Sequence, residues 1–333
     1  MNYYIGMDSP NTAKRHVDVL MARMGFRDVA VRMGRGKVAT FFRKLFSMVN
    51  LATKLKNDDV LVIQYPFKKF YVIQCRIAHW KGAKIITLIH DLGTFRRRKL
   101  TAEQEMKRLS HTDVLIVHNP SMNEWLVKHG CRKPMVNLGI FDYLSKEEPT
   151  ATPHVLGAKP SIVFAGGISR RKTSFLYELD AALEGCVFHL YGSGLEKGAE
   201  KEWKNMVYHG SIGSDEFIRT AGADWGLVWD GDTIDGCSGI WGSYLRVNNP
   251  HKASFYLRAG LPVIVWKESA MAPFVTENGV GITVGSLREL PERLRGMSEE
   301  EYQHYKQKAM AIKARLNDGF FFIKAFQEAK KML

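Results

Sequence analysis

Twelve short runs rich in Val, Ile, Leu and aromatic residues recur along this chain, and they limit its fold more than any other feature. Six lie in the first half: YYIGM (3–7), DVAVRM (28–33), DVLVIQYP (59–66), KIITLIHD (84–91), DVLIVHN (113–119) and MVNLGI (135–140). Runs this short and apolar read as strands of a parallel sheet buried on both faces. Helical periods separate most of them, for example at 11–25 and 121–130. The rhythm breaks at 142–160, DYLSKEEPTATPHVLGAKP, whose three prolines with Ser, Thr and Glu have the composition of an interdomain linker. It then restarts with SIVFAGG (161–167), VFHLYGSG (187–194), MVYHG (206–210), WGLVWDG (225–231), PVIVW (262–266) and VGITV (280–284). Two helical stretches close the chain. The pattern predicts an α/β protein with two tandem Rossmann-like, doubly wound domains and an extra C-terminal helix. The expected divisions are 1–148, 149–316 and a last helix at 317–333.

Composition adds bounds. The first ten residues, MNYYIGMDSP, show no basic and apolar regions of a secretion signal. No apolar run approaches the roughly 20 residues that span a bilayer. Cys75, Cys131, Cys186 and Cys237 are scattered, which suits a reducing cytoplasm better than a disulfide framework or a zinc site. A net charge of +14 points to an anionic partner: nucleic acid, phosphate-bearing substrates or an acidic membrane face.

In open parallel sheets ligands bind beyond the carboxyl ends of the strands, so those positions carry the functional reading. The stretch NNPHKASFYLRAGLPVIVW (248–266) reads as a capped helix entering a buried strand. Asn249 is the expected N-cap, Pro250 the first helical residue and Gly260 the C-terminal stop. Lys252 then falls in the first turn, where the helix dipole disfavours a cation. Either Lys252 reaches into water, or an anion sits near that helix start. Arg170, Arg171 and Lys172 follow the SIVFAGG strand just before a helical period beginning near Thr173, a second basic helix start in the same half. Two such places favour a bound phosphate or diphosphate over solvated basic turns. Tyr191 and Gly192 begin a small-residue turn after the next strand. Ser214, before Asp215 and Glu216, is an ordinary cap on a helix that obeys the dipole rule. The loop after WGLVW carries Asp230, Asp232 and Asp235, read as turn-forming residues rather than metal ligands. Trp229, Trp241 and Tyr244 either stack on a ring or pack under that loop.

In the first half, Ser9, Asn11 and Thr12 follow the first strand and resemble cap residues on the functional rim. His90 and Asp91 follow a nearly continuous apolar strand. Two readings stand for them: a general-base pair, or a capping Asp beside a structural His. His118 and Asn119 have the same placement and a weaker case. No Walker phosphate loop, Gly-x-Gly-x-x-Gly fingerprint or Gly-x-Ser-x-Gly elbow is present.

The tandem domains, the basic second-domain turns and the trailing helix together resemble GT-B glycosyltransferases. The segment N-P-H-K-x-x-x-Y-L-x-x-G-L-P-V-I-V is similar to their donor-binding helix, and GGISRRK to their strand–Gly–Arg–x–x–Lys turn. GMDSPNTAKRHVD, IHDLGTFR and NNPHKASFYLRAGLPVIVW narrow the resemblance to a bacterial β-1,6-galactofuranosyltransferase-like family. That family includes the streptococcal glucosyltransferase that adds the second sugar to serine-rich adhesins.

This resemblance implies two domains around a cleft, with the last helix packing back on the first domain. It implies a UDP-sugar donor held by the second domain through Arg170, Arg171, Lys172, Tyr191, Gly192, Asn249, His251 and Lys252. It implies a glycan, glycoprotein or lipid-linked acceptor on the first, near Ser9, Asn11 and Thr12, with Asp91 and His90 catalytic. No metal and no cofactor are expected, and a homo-oligomer is expected by analogy. One departure is visible. The two Glu residues of many retaining relatives are replaced by Asn and Pro near 248–250 and by Tyr256, so the ribose contact is open. The rival classes are a basic nucleic-acid-binding protein and a catalytically silent GT-B-like scaffold.

One motif falls outside this reading. VATFFRKLFSMVNLATKLK (38–56) has a helical period, with Phe42, Leu45, Phe46 and Val49 on one side and Arg43, Lys44, Lys54 and Lys56 largely elsewhere. Arg32, Arg35 and Lys37 precede it, and 96–99 is a second basic run. Such a helix either packs its stripe on its own sheet or lies on an anionic membrane from the cytoplasmic side.

Overall fold

The computed structural model describes all residues except 7–8, 33–35, 68–69, 97–98, 151–155 and 157–158, and omits the side chains of Lys37 and Arg96. Most of the second half of the linker, Arg35 and the centre of the 96–99 basic run therefore lie outside the described residues.

Eleven of the twelve runs supply the body of a strand, while DVAVRM (28–33) contributes only Asp28 to a two-residue edge strand. The first six are β1 (Asn2–Tyr4), β2 (Arg27–Asp28), β3 (Val60–Tyr65), β4 (Lys84–Ile89), β5 (Val114–Val117) and β6 (Met135–Asn137), in the order β2-β1-β3-β4-β5-β6. The others are β7 (Ser161–Ala165), β8 (Val187–Tyr191), β9 (Met206–Tyr208), β10 (Trp225–Val228), β11 (Val263–Trp266) and β12 (Gly281–Val284), in the order β12-β11-β10-β7-β8-β9. Every pairing is parallel. Two-sided burial explains the lack of polar alternation: all six residues of β3 and all four of β5, β10 and β11 are buried. The chain order reverses between β1 and β3 in one sheet and between β7 and β10 in the other. Those switch points open a crevice at the carboxyl edge.

The chain divides into two compact units, Met1–Asp142 with Gly319–Leu333, and Tyr143–Asp318. The helix Phe320–Lys330 belongs to the first unit. Its start is fixed there because the buried Asp142 carboxylate accepts the backbone N–H groups of Phe321 (3.1 Å) and Phe322 (2.7 Å). This satisfies two of the donors that a helix start leaves open. Phe326 meets Phe26 edge-on at 4.9 Å.

The first half of the expected linker is not a loose tether. Arg258, fully buried, donates through Nη2 to the carbonyls of Ser145 (3.0 Å) and Glu147 (2.7 Å) and to the Glu148 carboxylate (2.8 Å). A spacing pattern cannot reveal this, because Arg258 reads in sequence as an ordinary cation at the end of a helix.

Helix starts differ from the sequence reading by a residue or a few. The 250s helix runs His251–Arg258, with Pro250 in the cap position and no side-chain cap. Its end is as expected: Gly260 N–H donates to Leu257 and Leu261 N–H to Tyr256, closing a Schellman motif. Arg170–Thr173 forms a one-turn helix with Ser169 in the cap position and no side-chain cap, so the three cations lie inside it. At Ser214–Thr220 the cap is Gly213, and Ser214 is the first helical residue.

Candidate active site

In the second unit, the helix His251–Arg258 lies flush on β10 because position 226 is glycine. A Cβ on Gly226 would stand 2.4 Å from Tyr256 Cγ. The Tyr256 hydroxyl accepts the Ala165 N–H at 2.7 Å, tying the helix to the end of β7. Tyr256 is therefore buried and structural, and it is not placed to meet a ribose.

Lys252 does not reach into water. Its Nζ donates to the Asp230 carboxylate (2.8 Å) and the Trp229 carbonyl (3.1 Å), and lies 4.0 Å from the Phe164 ring centre. Lys172 Nζ stands 3.6 Å from the same Asp230 oxygen. Burial pushes the Lys252 ammonium down to about 8, opposed mainly by the Asp230 charge. Asp230, read from sequence as a turn residue, is thus the anion that answers Lys252. Two lysines share one carboxylate at the β7/β10 switch point, which leaves a net positive charge beside the Gly166–Gly167 turn.

Arg171 and Lys172 each lie 5.6 Å from the Trp241 ring centre. Arg170 faces elsewhere: it binds the Glu196 carboxylate twice, at 2.7 and 2.8 Å, and stacks over Tyr177. It does not join the lysine pair. Trp229 and Tyr244 are buried, so of the three aromatics proposed for stacking only Trp241 is partly exposed.

A cavity of about 270 Å³ lies at the ends of β7 and β8. Gly166, Tyr191, Gly192, Ser193, Tyr143 and Phe255 help to line it. Gly192 has φ +148°, and a Cβ there would fall 1.8 Å from the Gly166 carbonyl oxygen. The two strand-end loops therefore touch backbone to backbone. Tyr191 stacks on His209 at 4.5 Å. Asn249 is buried, and His251 stacks on Tyr143 at 4.8 Å, beside the cavity wall. Tyr143 and Phe255 carried no strand-end signal in the sequence, since they come from the linker and mid-helix, whereas Ser211 follows the MVYHG run directly and was passed over.

In the first unit, His90 and Asp91 follow β4. His90 is buried: its Nε2 donates to Gln64 Oε1 at 2.7 Å and its ring stacks on Phe141 at 5.1 Å. Gln64 in turn donates to Asp18 (2.6 Å) and to the Lys14 carbonyl. Asp91 is only partly buried, and burial pushes the Lys14 ammonium down to about 8, opposed mainly by the Asp91 charge. Lys14 Nζ donates to the Pro66 carbonyl at 3.2 Å. Lys14 is a buried cation in a helix's first turn, the same signal that marked Lys252, and sequence reading passed it over. His118 is structural. It bonds the Ile89 carbonyl, and burial lowers it to about 4, so it stays neutral. Asn119 caps the next helix through Met122 N–H.

Asn11 and Thr12 serve their own helix: Asn11 accepts the Lys14 N–H, and Thr12 accepts from Arg15. Ser9 lines a cavity of about 700 Å³ with Gly6, Arg15, Asp18, Thr40 and Arg43.

Two tandem Rossmann-like domains, each built on six parallel strands, have the architecture of the GT-B glycosyltransferases. Comparison gives the family. The model described as Glucosyltransferase 3-like, N-terminal domain matches residues 3–140, and that for the C-terminal domain matches 162–329. The chain belongs to the Glucosyltransferase 3-like family. It is 34% identical over 292 residues to beta-1,6-galactofuranosyltransferase WbbI of Escherichia coli (strain K12), covering 86% of this chain and 84% of that protein. It is 23% identical over 342 residues to Glucosyltransferase 3 of Streptococcus gordonii, covering 97% and 96%. Among solved structures, the apo lipopolysaccharide outer core galactosyltransferase WaaB superposes with a TM-score of 0.58 at 10% identity over 98% of each chain.

Proposed function

We propose that this glycosyltransferase moves a hexosyl group from a UDP-sugar to a glycan or glycoprotein acceptor. The C-terminal domain would hold the UDP moiety and the N-terminal domain the acceptor. The observation that carries this reading is the Lys252–Asp230–Lys172 cluster beside the 270 Å³ cavity. Cleaving the sugar–phosphate bond puts negative charge on the departing diphosphate. Two ammonium groups already held by Asp230 stabilise that charge with little reorganisation. Tyr191, Gly192 and His251 would contact the nucleoside side of the donor, and no metal is required.

On the acceptor side, Asp91 is the proton acceptor in an inverting reaction and a positioning group in a retaining one. The anomeric configuration of the product, read by NMR, distinguishes the two. His90, spent on Gln64 and Phe141, orients this region instead of exchanging protons. A homo-oligomer is part of the same reading and is checked by light scattering.

Calorimetry with UDP in the presence of a chelator tests the donor assignment. Lys252→Met should weaken UDP by about 10- to 100-fold with the thermal transition nearly unchanged. An equal loss of folding, or no UDP affinity in the native protein, defeats the reading and favours a scaffold. Release of UDP across a panel of UDP-sugars would then identify the sugar.

A further inference from the structure

The helix Lys37–Lys54 carries two apolar stripes. Met48, Leu51 and Leu55 face inward and are buried. Val38, Phe41, Phe42, Leu45, Phe46 and Val49 recur at i, i+3, i+4, i+7, i+8 and i+11, one continuous outer face. All six are exposed, including Val38 at 70%, Phe42 at 42% and Phe46 at 46%. A single exposed apolar residue is ordinary, but a contiguous row with three phenylalanines marks an interaction surface.

Charge says what covers it. The first unit has 28 Lys and Arg against 12 Asp and Glu, a net +16, and the second has 20 against 22. The whole excess of the chain therefore lies in the unit that presents this face. Arg43 and Lys44 lie within the helix, with Lys54 and Lys56 at its end. A second copy docked on this face would bring together two units that each carry a net +16. An anionic lipid surface supplies apolar depth and opposite charge together. We propose that the outer face of Lys37–Lys54 docks this protein on an anionic membrane, with Phe42 and Phe46 entering the acyl boundary. The Thr40 and Arg43 sides of the helix line the 700 Å³ cavity, so docking would hold that cavity against the lipid surface.

Flotation with vesicles tests this. Native protein should float with vesicles of phosphatidylglycerol and phosphatidylcholine and not with phosphatidylcholine alone, and high salt should release it. Phe42→Asp/Phe46→Asp should reduce binding about tenfold or more. Its circular dichroism and UDP affinity should match the native protein. A second, milder pair, Phe42→Ser/Phe46→Ser, guards against a folding defect. No flotation of native protein, flotation unaffected by both pairs, or a native dimer that these pairs dissociate would overturn the proposal. UDP affinity that persists in any of these cases leaves the donor reading standing.

Discussion

The N-terminal unit carries a net +16 and the C-terminal unit −2, although each is built on six parallel strands. In the second unit cations are answered by carboxylates: Lys252 and Lys172 by Asp230, Arg170 by Glu196, Arg258 and Lys313 by Glu148, Arg288 by Asp235. The site assigned to a diphosphate therefore lies in the unit without excess charge. Total charge sets a long-range field that salt screens within about 10 Å at 0.1 M. A recognition site depends instead on a few charges held in a poorly solvated place, where each counts for more. The protein's basic character and its proposed diphosphate site therefore belong to different domains.

Variants can break that separation. The largest effect belongs to the first unit's chemistry: Asp91→Asn should lower turnover by about 100-fold or more while UDP affinity, read by calorimetry, stays within about twofold. Near-normal turnover would remove Asp91 from the reaction. Next comes pH. Lys252 is charged below about 8 and neutral above it, so UDP affinity should hold from neutral pH to about 8 and then fall by up to about tenfold per pH unit. The stability sign is opposite. The folded value lies below the ordinary 10.5, so the buried ammonium costs stability below about pH 8, and that cost is relieved as pH rises from about 8 to 10.5. Lys252→Met should flatten the affinity profile between pH 8 and 9.5. The smallest effect is expected at Arg170, which is exposed and bound to an exposed Glu196. Arg170→Ala should change UDP affinity by less than about twofold. A tenfold loss there would mean that Arg170 leaves Glu196 to join the lysines when UDP binds.

Much of this was legible from residues alone. Strand positions followed from apolar runs, because burial on both faces leaves no polar alternation to confuse them. Lys252 was legible as an anomaly, since the helix dipole disfavours a cation in the first turn. Its partner was not legible: Asp230 sits 22 residues away, in a loop whose acids look like turn formers. The same limit hid Lys14, whose helix start looked normally capped by Asn11. Tyr256 was ambiguous, because an aromatic at that spacing serves a core or a ligand equally well, and only the Gly226 backbone beneath it decides.

The Lys37–Lys54 helix shows the boundary most clearly. Its sequence determined a helix with an apolar stripe and basic flanks, because period and charge are local properties. Which stripe is buried is not local. Met48, Leu51 and Leu55 supply the inward contacts, so the phenylalanine row remains outside. The sequence likewise determined two parallel sheets and a first-turn lysine. Tertiary structure alone decided that this lysine meets Asp230, that Arg170 turns to Glu196 and that Arg258 ties down the linker. Each of these is a pairing between segments distant in sequence, and no spacing rule encodes such a distance.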